Sequence, residues 1–231
     1  MTQKRSFIQR LFTNIAPRYD RFNRLASFGM DQGWRREAVR RGGIGPGQRV
    51  LDVCAGTGDL AILCAREVRG DGAVIGVDFT AAMLARAARK QQKHGLRIAW
   101  LQGDALALPF PDRSFDRAVI GFSTRNLADL TAGLREMLRV LRAQGQLIVL
   151  ETGYPANPLI RAGYQAFLLT LARMIGCVLT GRCWPFTYLA RSVRQFLTPK
   201  EFVERLQQLG ASVVYVPLSG GLASLYVATK R

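Results

Sequence analysis

A short apolar run that leads directly into a glycine-rich turn constrains the fold of this chain most strongly. Residues 50–61 have the sequence VLDVCAGTGDLA, in which the apolar run contains Asp52 and the turn contains Gly56 and Gly58. Glycines at such a turn let the backbone approach a nucleotide-like ligand, and the helix that follows offers unpaired N–H groups at its N-terminus. The stretch therefore predicts a strand, a ligand-binding turn and a helix. Dinucleotide-dependent enzymes share the pattern, so it does not by itself decide the ligand.

Acidic residues at the ends of the next predicted strands indicate that the ligand of the glycine-rich turn contains a ribose. An apolar run over residues 73–77 ends at Asp78, 22 residues after Gly56. A spacing of about 20 residues suits a carboxylate that binds a ribose diol. A third run ends at Asp104, directly before Ala105. Further strands are predicted over residues 114–120 and 146–151.

The order of predicted elements indicates the fold class. Strands alternate with amphipathic helices between residues 50 and 150, which is typical of a parallel, doubly wound sheet. The sequence TPKE at residues 198–201 is a capping box with proline at the first helical position. Two final strands, at about residues 212–216 and 223–229, form a predicted hairpin. We therefore expect an α/β protein with a seven-stranded, mostly parallel sheet that ends in an antiparallel hairpin.

Composition limits the partners and the chemistry. The chain has 33 Lys and Arg against 16 Asp and Glu, a net charge of +17. This excess favours nucleic acid, an anionic membrane surface or an acidic protein as a partner, with a solvated basic surface as the alternative. The single histidine, His94, lies at the end of a predicted helix, so we expect no histidine base. The four cysteines form no Cys-x-x-Cys pair, so we expect reduced thiols without a zinc site.

Two segments outside the alternating core are rich in apolar residues. The first 45 residues contain a stripe at helical spacing, which predicts a helix packed on the core, or else a lid or a membrane-contacting face. Residues 152–197 interrupt the alternation where the carboxyl edge of the sheet binds ligands, which predicts extra packed helices or a wall for a lipid-like substrate. The uncharged run at residues 162–172 is 11 residues long. Because a membrane span needs about 20 residues, no transmembrane helix is expected.

Several local motifs together resemble one family, the quinone-pathway C-methyltransferases that methylate demethylmenaquinol or a polyprenyl benzoquinol. The sequence IAPRYDRFN at residues 15–23 resembles the family's Ala-x-x-Tyr-Asp-x-x-Asn. The sequence YLARSVRQF at residues 188–196 is similar to its Tyr-x-Tyr-Leu-x-x-Ser-Ile-x-x-Phe. Other matching segments are SFG at 27–29, WRR at 34–36, GTGD at 56–59, RN at 125–126 and EMLRVL at 136–141. The match extends over essentially the whole chain.

The resemblance implies a class I methyltransferase fold that uses S-adenosylmethionine. We expect a single domain over residues 1–231 with four consecutive parts. These are an N-terminal helical lid (1–45), the S-adenosylmethionine-binding core (46–151), an apolar substrate-side insertion (152–197), and a closing helix with a hairpin (198–231).

The positions that match the family's motifs imply the cofactor site. Asp78 is expected at the ribose hydroxyls, and Asp104 with the Ala105 backbone at the adenine. Asp52 is expected to support the loop, and the turn to hold the methionine and ribose side. The complete expected set is Asp52, Gly56, Thr57, Gly58, Asp78, Phe79, Asp104, Ala105 and Gly121. Methyl transfer from a sulfonium requires no metal, and none is expected.

Three further positions imply the catalytic residues. A ring carbon becomes nucleophilic when a neighbouring quinol hydroxyl loses its proton, and the developing phenolate charge then needs a donor. The resemblance makes Arg125 that donor. A guanidinium, with a pKa above about 12, is a poor base, so we expect Arg125 to orient a water molecule. Asn126 is expected to position the same water or the ring oxygen, and Tyr19 to close over the site.

The substrate side departs from the family's pattern, which affects the acceptor more than the reaction. Gly121 stands where a serine is common, and Asp31 and Tyr226 stand where histidines are usual. Short length and the lack of an N-terminal extension favour demethylmenaquinol over a benzoquinol. Two other classes stay open, an RNA methyltransferase and a non-catalytic, S-adenosylmethionine-binding subunit of a quinone-synthesis assembly. The sequence contains neither an Asn-Pro-Pro-Tyr base-flipping motif nor an added RNA-binding module.

An isoprenoid tail on the substrate would account for both the apolar segment and the basic surface. We therefore expect a lipid-tailed quinol as substrate and no nucleic-acid partner. The expected location is the cytoplasm, in peripheral contact with an anionic membrane. The sequence is compatible with a homodimer.

Overall fold

The computed structural model describes residues 2–153 and 155–231, and a seven-stranded sheet forms its centre. In chain order the strands are β1 (Arg49–Val53), β2 (Ala73–Asp78), β3 (Ala99–Gln102), β4 (Phe115–Gly121), β5 (Leu141–Thr152), β6 (Ala211–Leu218) and β7 (Ala223–Lys230). Across the sheet the order is β3-β2-β1-β4-β5-β7-β6. The first five strands in this order pair in parallel, and β7 pairs antiparallel with both β5 and β6. The predicted doubly wound sheet with a closing antiparallel hairpin is confirmed.

Helices surround the sheet and extend beyond its carboxyl edge. They are α1 (Thr2–Ile15), α2 (Tyr19–Ala26), α3 (Met30–Arg41), α4 (Asp59–Val68), α5 (Ala81–His94), α6 (Leu130–Val140), α7 (Pro158–Phe167), α8 (Arg173–Thr180), α9 (Trp184–Arg194) and α10 (Pro199–Gln208). The predicted capping box is present at the start of α10, where Thr198 and Glu201 bond each other's backbone N–H groups.

Alternate residues of the central strands face two separate apolar layers. In β1, Val50 packs with side chains of α3 and α4, whereas Leu51 packs with those of α6 and α10. In β5, Ile148 and Leu147 divide between the layers in the same way. Parallel strands covered on both faces in this manner are buried along most of their length. Their polar end groups therefore come together at the carboxyl edge of the sheet.

The helices before β1 and after β5 pack on one another above that edge, and we call α1–α3 and α7–α9 the helical cap. One apolar cluster joins α1, α5 and α9: Leu11, Ile15, Ala16, Met83, Phe186 and Leu189. Phe22 of α2 contacts Phe186, with 4.4 Å between ring centroids. The predicted helical character of both segments is correct, and the N-terminal stripe is largely packed against the rest of the protein.

Helices α7 and α8 form one continuous helix, because the turn between them, Leu168–Ala172, is π-helical. The combined helix, Pro158–Thr180, has 23 residues and is long and apolar enough to cross a membrane, and just 11% of its most apolar stretch is buried. It is the one such helix in the described part of the chain. The sequence expectation considered the uncharged run alone, whereas the helix continues past Arg161 and Arg173 at either end of that run. Its inner face packs on α2 and α9.

The expectation of reduced cysteines is wrong for one pair. Cys177 and Cys183 form a disulfide that joins the end of α8 to the start of α9. Gly181, with φ at +70°, turns the chain sharply enough to place the two Cα atoms 4.5 Å apart. Cys54 and Cys64 are free. The pairing depends on a helix-terminating turn between two helices, which the spacing of the cysteines alone does not reveal.

Candidate active site

Two cavities lie side by side between the carboxyl edge of the sheet and the helical cap. The first, which we call the loop cavity, is bordered by the glycine-rich turn and by the ends of β2 and β4. The second, which we call the apolar cavity, lies between α2, α3, the long helix and α9, and has a volume of about 380 Å³. Tyr19 and Arg35 border both cavities. A molecule in one cavity can therefore meet a molecule in the other at these two side chains.

The loop cavity brings together eight of the nine residues expected at the cofactor. These are Asp52, Gly56, Thr57, Asp78, Phe79, Asp104, Ala105 and Gly121. Gly58 lies behind the turn, at the N-cap of α4 with φ at +81°. A Cβ atom there would lie 2.6 Å from the Trp100 ring, so glycine at this position permits the turn to pack on β3.

Asp78 fixes the shape of the glycine-rich turn. One carboxylate oxygen accepts a hydrogen bond of 2.9 Å from the Gly56 N–H, and the other accepts one of 2.8 Å from the Thr80 N–H. Burial raises the pKa of this carboxyl, although the two N–H donors oppose that shift. The spacing of 22 residues in the sequence thus corresponds to a direct contact between the second strand and the turn after the first.

Asp52 lies in β1 and contacts the helix that follows the glycine-rich turn. Its carboxylate accepts a hydrogen bond of 2.9 Å from the Ala61 N–H in the first turn of α4. The side chain is almost fully buried, and this burial raises its pKa to about 8. Asp52 also borders the loop cavity. It therefore ties β1 to α4 while placing a weakly acidic carboxyl beside the cavity.

Helix α1 lies across the mouth of the loop cavity. Arg5 forms an ion pair of 3.0 Å with Asp104, and Gln9 donates to the Phe79 carbonyl at 3.3 Å. The Lys4 ammonium donates to the Leu127 carbonyl at 2.5 Å. These polar contacts hold the helix over two of the expected cofactor residues, in the place of a lid.

Arg125 lies at the boundary of the apolar cavity, on the 3₁₀ turn Thr124–Asn126 after β4. Its Nη1 donates to the carboxylate of Glu151 and, at 2.8 Å, to the Phe122 carbonyl. Its Nε donates to the Ser192 hydroxyl at 3.3 Å. The guanidinium is thus fixed by partners on β5 and α9 as well as on its own turn.

Asn126 and Tyr19 both border the loop cavity, and Tyr19 borders the apolar cavity as well. Asn126 borders the loop cavity, and its Oδ1 accepts a hydrogen bond of 3.3 Å from the Tyr188 hydroxyl. Its buried Nδ2 has no hydrogen-bond partner in the described part of the chain, so a donor is left for a ligand. Burial raises the pKa of Tyr19, which keeps its hydroxyl protonated at the point where the cavities meet. Arg125, Asn126 and Tyr19 are therefore brought together around one junction.

Two buried charged residues, Arg35 at this junction and Glu151 behind Arg125, were not assigned from the sequence. Arg35 of α3 stacks over the Phe122 ring at 5.0 Å and lies 3.7 Å from Asp31 and 3.9 Å from Asp59. Glu151, the residue before the last of β5, pairs with Arg125. The WRR motif and the acid that ends the fifth strand mark both positions in the sequence, but their partners become evident from the fold.

Tyr164 is one of several polar residues, among them Asn23, Asp31 and Arg173, in the wall of the apolar cavity. Its hydroxyl donates to the Leu222 carbonyl at 3.3 Å, and burial raises its pKa to about 12. The rest of the wall consists largely of aromatic and aliphatic side chains: Phe22, Phe28, Ile160, Phe167, Leu168, Phe186, Leu189 and Val193. A cavity of this composition accommodates a hydrocarbon chain better than a polar one.

Comparison with known proteins agrees with this geometry. Residues 1–230 match the model of the ubiE/COQ5 methyltransferase family. A demethylmenaquinone methyltransferase from Deinococcus radiodurans is 40% identical over 224 residues, which cover 97% of this chain and 92% of that protein. A ubiquinone/menaquinone biosynthesis C-methyltransferase from Citrifermentans bemidjiense is 38% identical over 233 residues, covering 100% of this chain and 99% of that protein. Among solved structures, a SAM-dependent methyltransferase from Aquifex aeolicus is similar with a TM-score of 0.64 and 18% identity, over 85% of this chain and 89% of that one.

The structural similarity confirms the predicted class I methyltransferase fold. The match to the family confirms that the protein is a methyltransferase that uses S-adenosylmethionine. Since that match extends over residues 1–230 and the relatives are similar along their whole length, the chain belongs to the ubiE/COQ5 methyltransferase family.

Proposed function

We propose that this protein transfers a methyl group from S-adenosylmethionine to a ring carbon of demethylmenaquinol, producing menaquinol. The observation that supports this most directly is the junction of the two cavities. The loop cavity contains the acids that are expected to bind the adenosine part of the cofactor. It meets the apolar cavity at Tyr19 and Arg35, beside Arg125 and Asn126. Methyl transfer requires such an arrangement, because donor and acceptor have to be aligned in line.

The residues of the loop cavity fit S-adenosylmethionine. Asp78 and Asp104 would hold the ribose and the adenine, and the N-terminus of α4 offers N–H groups beside the turn. The unpartnered Nδ2 of Asn126 is a buried donor at the opposite side of the same cavity. When bound, S-adenosylmethionine supplies a methyl group that its sulfonium has already activated. The protein's task is then to orient the acceptor and to favour loss of the quinol proton.

The apolar cavity is the proposed place of the acceptor. An isoprenoid tail would lie along the aromatic wall, with the quinol ring at Arg125. Both relatives described above have menaquinone in their names, whereas one of them has ubiquinone in its name as well. Demethylmenaquinol is therefore the acceptor that the two names share, and a polyprenyl benzoquinol is the alternative.

Arg125 would favour ionisation of the quinol by donating to the developing phenolate oxygen. A fixed cationic donor in a cavity from which water is excluded stabilises such charge more than it would in water. Arg125 itself does not accept the proton, because a guanidinium stays protonated. Asn126 would orient a water molecule that takes the proton, and the neutral Tyr19 would close the junction above it.

We also propose that the protein binds the surface of an anionic membrane in the cytoplasm through the long helix. Several apolar side chains on one side of the cap are exposed, among them Leu159 (83%), Val178 (80%) and Phe28 (71%). Phe28 contacts Phe167 of the apolar cavity, with 5.6 Å between ring centroids, so the patch borders that cavity. Residues 152–197 contain five arginines and no acid, which complements anionic lipid head groups. A helix with one packed face and one exposed apolar face fits a position in the membrane interface.

Methyl transfer from radiolabelled S-adenosylmethionine tests the reaction. Demethylmenaquinol and a demethylated benzoquinol are each offered in anionic liposomes to the wild type, to Arg125→Ala and to Arg135→Ala. Arg135 is exposed on α6 and lies outside both cavities, so it controls for loss of an arginine. We expect label in demethylmenaquinol for the wild type and the Arg135 variant, and at least about a hundredfold less for Arg125→Ala.

Label in the benzoquinol alone would show that the acceptor is a benzoquinol and not demethylmenaquinol. Label in neither, with S-adenosylmethionine binding intact in calorimetry, would favour the RNA enzyme or the non-catalytic subunit.

Sedimentation with vesicles tests the membrane contact. Leu159→Glu and Val178→Glu are expected to reduce binding to phosphatidylglycerol vesicles, whereas Val214→Glu, at a valine 61% exposed on β6, is expected to leave it unchanged. Binding is expected to weaken with added salt, since head-group attraction is screened. If the wild type does not bind vesicles and instead dimerises in analytical ultracentrifugation, the exposed face is covered by a second copy.

A further inference from the structure

Glu151, near the end of β5, has a set of contacts that the proposed reaction leaves unexplained. Its Oε2 accepts a hydrogen bond of 2.6 Å from the Thr124 hydroxyl, and its Oε1 accepts one of 2.8 Å from the Thr152 N–H. Oε1 also accepts from Nη1 of Arg125. All of these partners are donors, which is what a carboxylate requires at both oxygens. The side chain of Glu151 is 1% exposed, so it is not in contact with the apolar cavity.

The hydrogen bonds of the Arg125 guanidinium use two of its three nitrogens, Nη1 and Nε. Nη1 donates to Glu151 and to the Phe122 carbonyl, and Nε donates to the Ser192 hydroxyl. Nη2 forms no hydrogen bond with any residue that the structure describes. Since Arg125 borders the apolar cavity, its Nη2 is the group left to bind a ligand there.

We infer that Glu151 is a positioning residue, which orients Arg125 so that Nη2 faces the reacting oxygen of the acceptor. The inference rests on the proposed function and adds the residue that makes Arg125 effective. The side chain of Arg125 is 8% exposed, and burial of a cation to this degree costs free energy unless a carboxylate pairs with it. Glu151 also restricts rotation of the guanidinium. Nη1 donates to Glu151 and to the Phe122 carbonyl at the same time, so this end of the group is held at two points. The remaining N–H groups of Nη2 are thereby fixed before the acceptor binds.

Loss of this orientation has a distinct kinetic signature. Glu151→Gln keeps the shape of the side chain but removes its charge, so the guanidinium is held less firmly, by the Phe122 carbonyl and the Ser192 hydroxyl. We expect kcat for demethylmenaquinol to fall about tenfold or more, while KM for S-adenosylmethionine changes less than about twofold. We also expect the acidic limb of the pH–rate profile to move up by about one unit, because the phenolate loses a fixed cation. A residue with a purely structural role would lower the folded fraction without moving this profile.

A double-mutant cycle tests whether Glu151 acts through Arg125. Glu151→Gln is expected to reduce kcat in the wild type but not further in Arg125→Ala, since the orientation of an absent side chain has no effect. Ser192→Ala removes the hydrogen-bond acceptor at Nε and is expected to show a smaller loss of kcat of the same kind. It replaces Glu151→Gln in the test if that variant does not fold. Glu136→Gln is the matched control, because Glu136 pairs with Arg139 at 2.8 Å outside both cavities.

The outcomes separate this inference from the proposed function. If the wild type labels demethylmenaquinol while Glu151→Gln and Ser192→Ala retain its kcat and pH profile, the positioning role is refuted and the function stands. The same refutation follows if Glu151→Gln reduces kcat equally in the presence and absence of Arg125. If the wild type labels no quinol, the proposed function itself is refuted.

Discussion

Asp20, on helix α2, accepts a hydrogen bond of 2.5 Å from the Thr57 hydroxyl in the glycine-rich turn. The second carboxylate oxygen of Asp20 lies 2.8 Å from the ammonium of Lys90, which is also 2.6 Å from Asp59. Burial opposes ionisation of Asp59, but Arg35 and Lys90 outweigh it and lower its pKa. A hydrogen bond and ion pairs thus join the helical cap to the glycine-rich turn and to the start of α4. Any opening of the cap there has to break this set of contacts.

Removal of the central cation is predicted to loosen the cap. Lys90→Met eliminates both ion pairs and leaves Asp20 with the Thr57 hydroxyl alone. We expect the affinity for S-adenosylmethionine to fall by about three- to tenfold, since each half-buried pair contributes on the order of 1 kcal/mol. Amide exchange in α1 and α2 should accelerate. Calorimetry and hydrogen exchange measure the two effects.

A lysine of the same helix provides the control for that variant. Lys93 is exposed on α5 and makes no contact with the turn. Lys93→Met should therefore leave affinity and exchange as they are in the wild type. Unchanged exchange of α1 and α2 in Lys90→Met would show that the ion pairs do not hold the cap.

Asp78→Asn is predicted to abolish most of the binding of S-adenosylmethionine. Both oxygens of Asp78 accept from backbone N–H groups, and an amide has one acceptor and one donor. Either the Gly56 or the Thr80 N–H would then face another donor, and the turn would lose its shape. We expect affinity to fall more than about tenfold in calorimetry. Asp71→Asn, at an exposed acid before β2, should bind normally.

The convergence of these residues on the loop cavity could be predicted from the sequence because they follow a simple rule. In a parallel sheet the strands end at one edge, so acids and glycines that end successive strands lie close together in space. Asp52, Asp78 and Asp104 obey this rule, and all three border the loop cavity. Arg125 was identified through its motif, since no local pattern distinguishes it from the other arginines.

The residues that sequence reasoning missed are defined by contacts between distant segments. Glu151 pairs with Arg125 across two neighbouring strands, 26 positions apart. Arg35 reaches the junction because α3 packs on α4 and β5. The disulfide depends on the turn between α8 and α9, and the length of the long helix on a π-helical turn. Periodicity identifies elements, but it does not specify which of their polar side chains meet.

The capping box at α10 yields a prediction about stability that is independent of activity. The Thr198 hydroxyl accepts from the Glu201 N–H, and the Glu201 carboxylate accepts from the Thr198 N–H at 2.8 Å. Thr198→Ala should lower the free energy of unfolding by about 1 kcal/mol, the usual cost of losing an N-cap. Urea unfolding measures this, and methyl transfer should be unaffected because no residue of α10 lines either cavity. A loss of activity equal to that of Arg125→Ala would contradict the division between scaffold and site.

The raised pKa of Asp52 predicts how stability depends on pH. The carboxyl has a pKa of about 8 in the folded protein because of its burial, against an ordinary value of 3.8. Between these values the folded protein holds a proton that the unfolded chain releases, so stability from this group is complete below pH 3.8 and is lost as pH rises through 8.

Asp52→Asn cannot ionise and keeps an acceptor for the Ala61 N–H. The free energy of unfolding of the variant minus that of the wild type should therefore increase by more than about 1 kcal/mol from pH 5 to pH 8, since one pKa unit corresponds to about 1.4 kcal/mol. Asp78, whose pKa is also raised, is present in both proteins and cancels in the difference. Urea unfolding at pH 5, 6.5, 8 and 9 measures the difference, and a value that stays constant across this range would mean that Asp52 is ionised throughout in the folded protein.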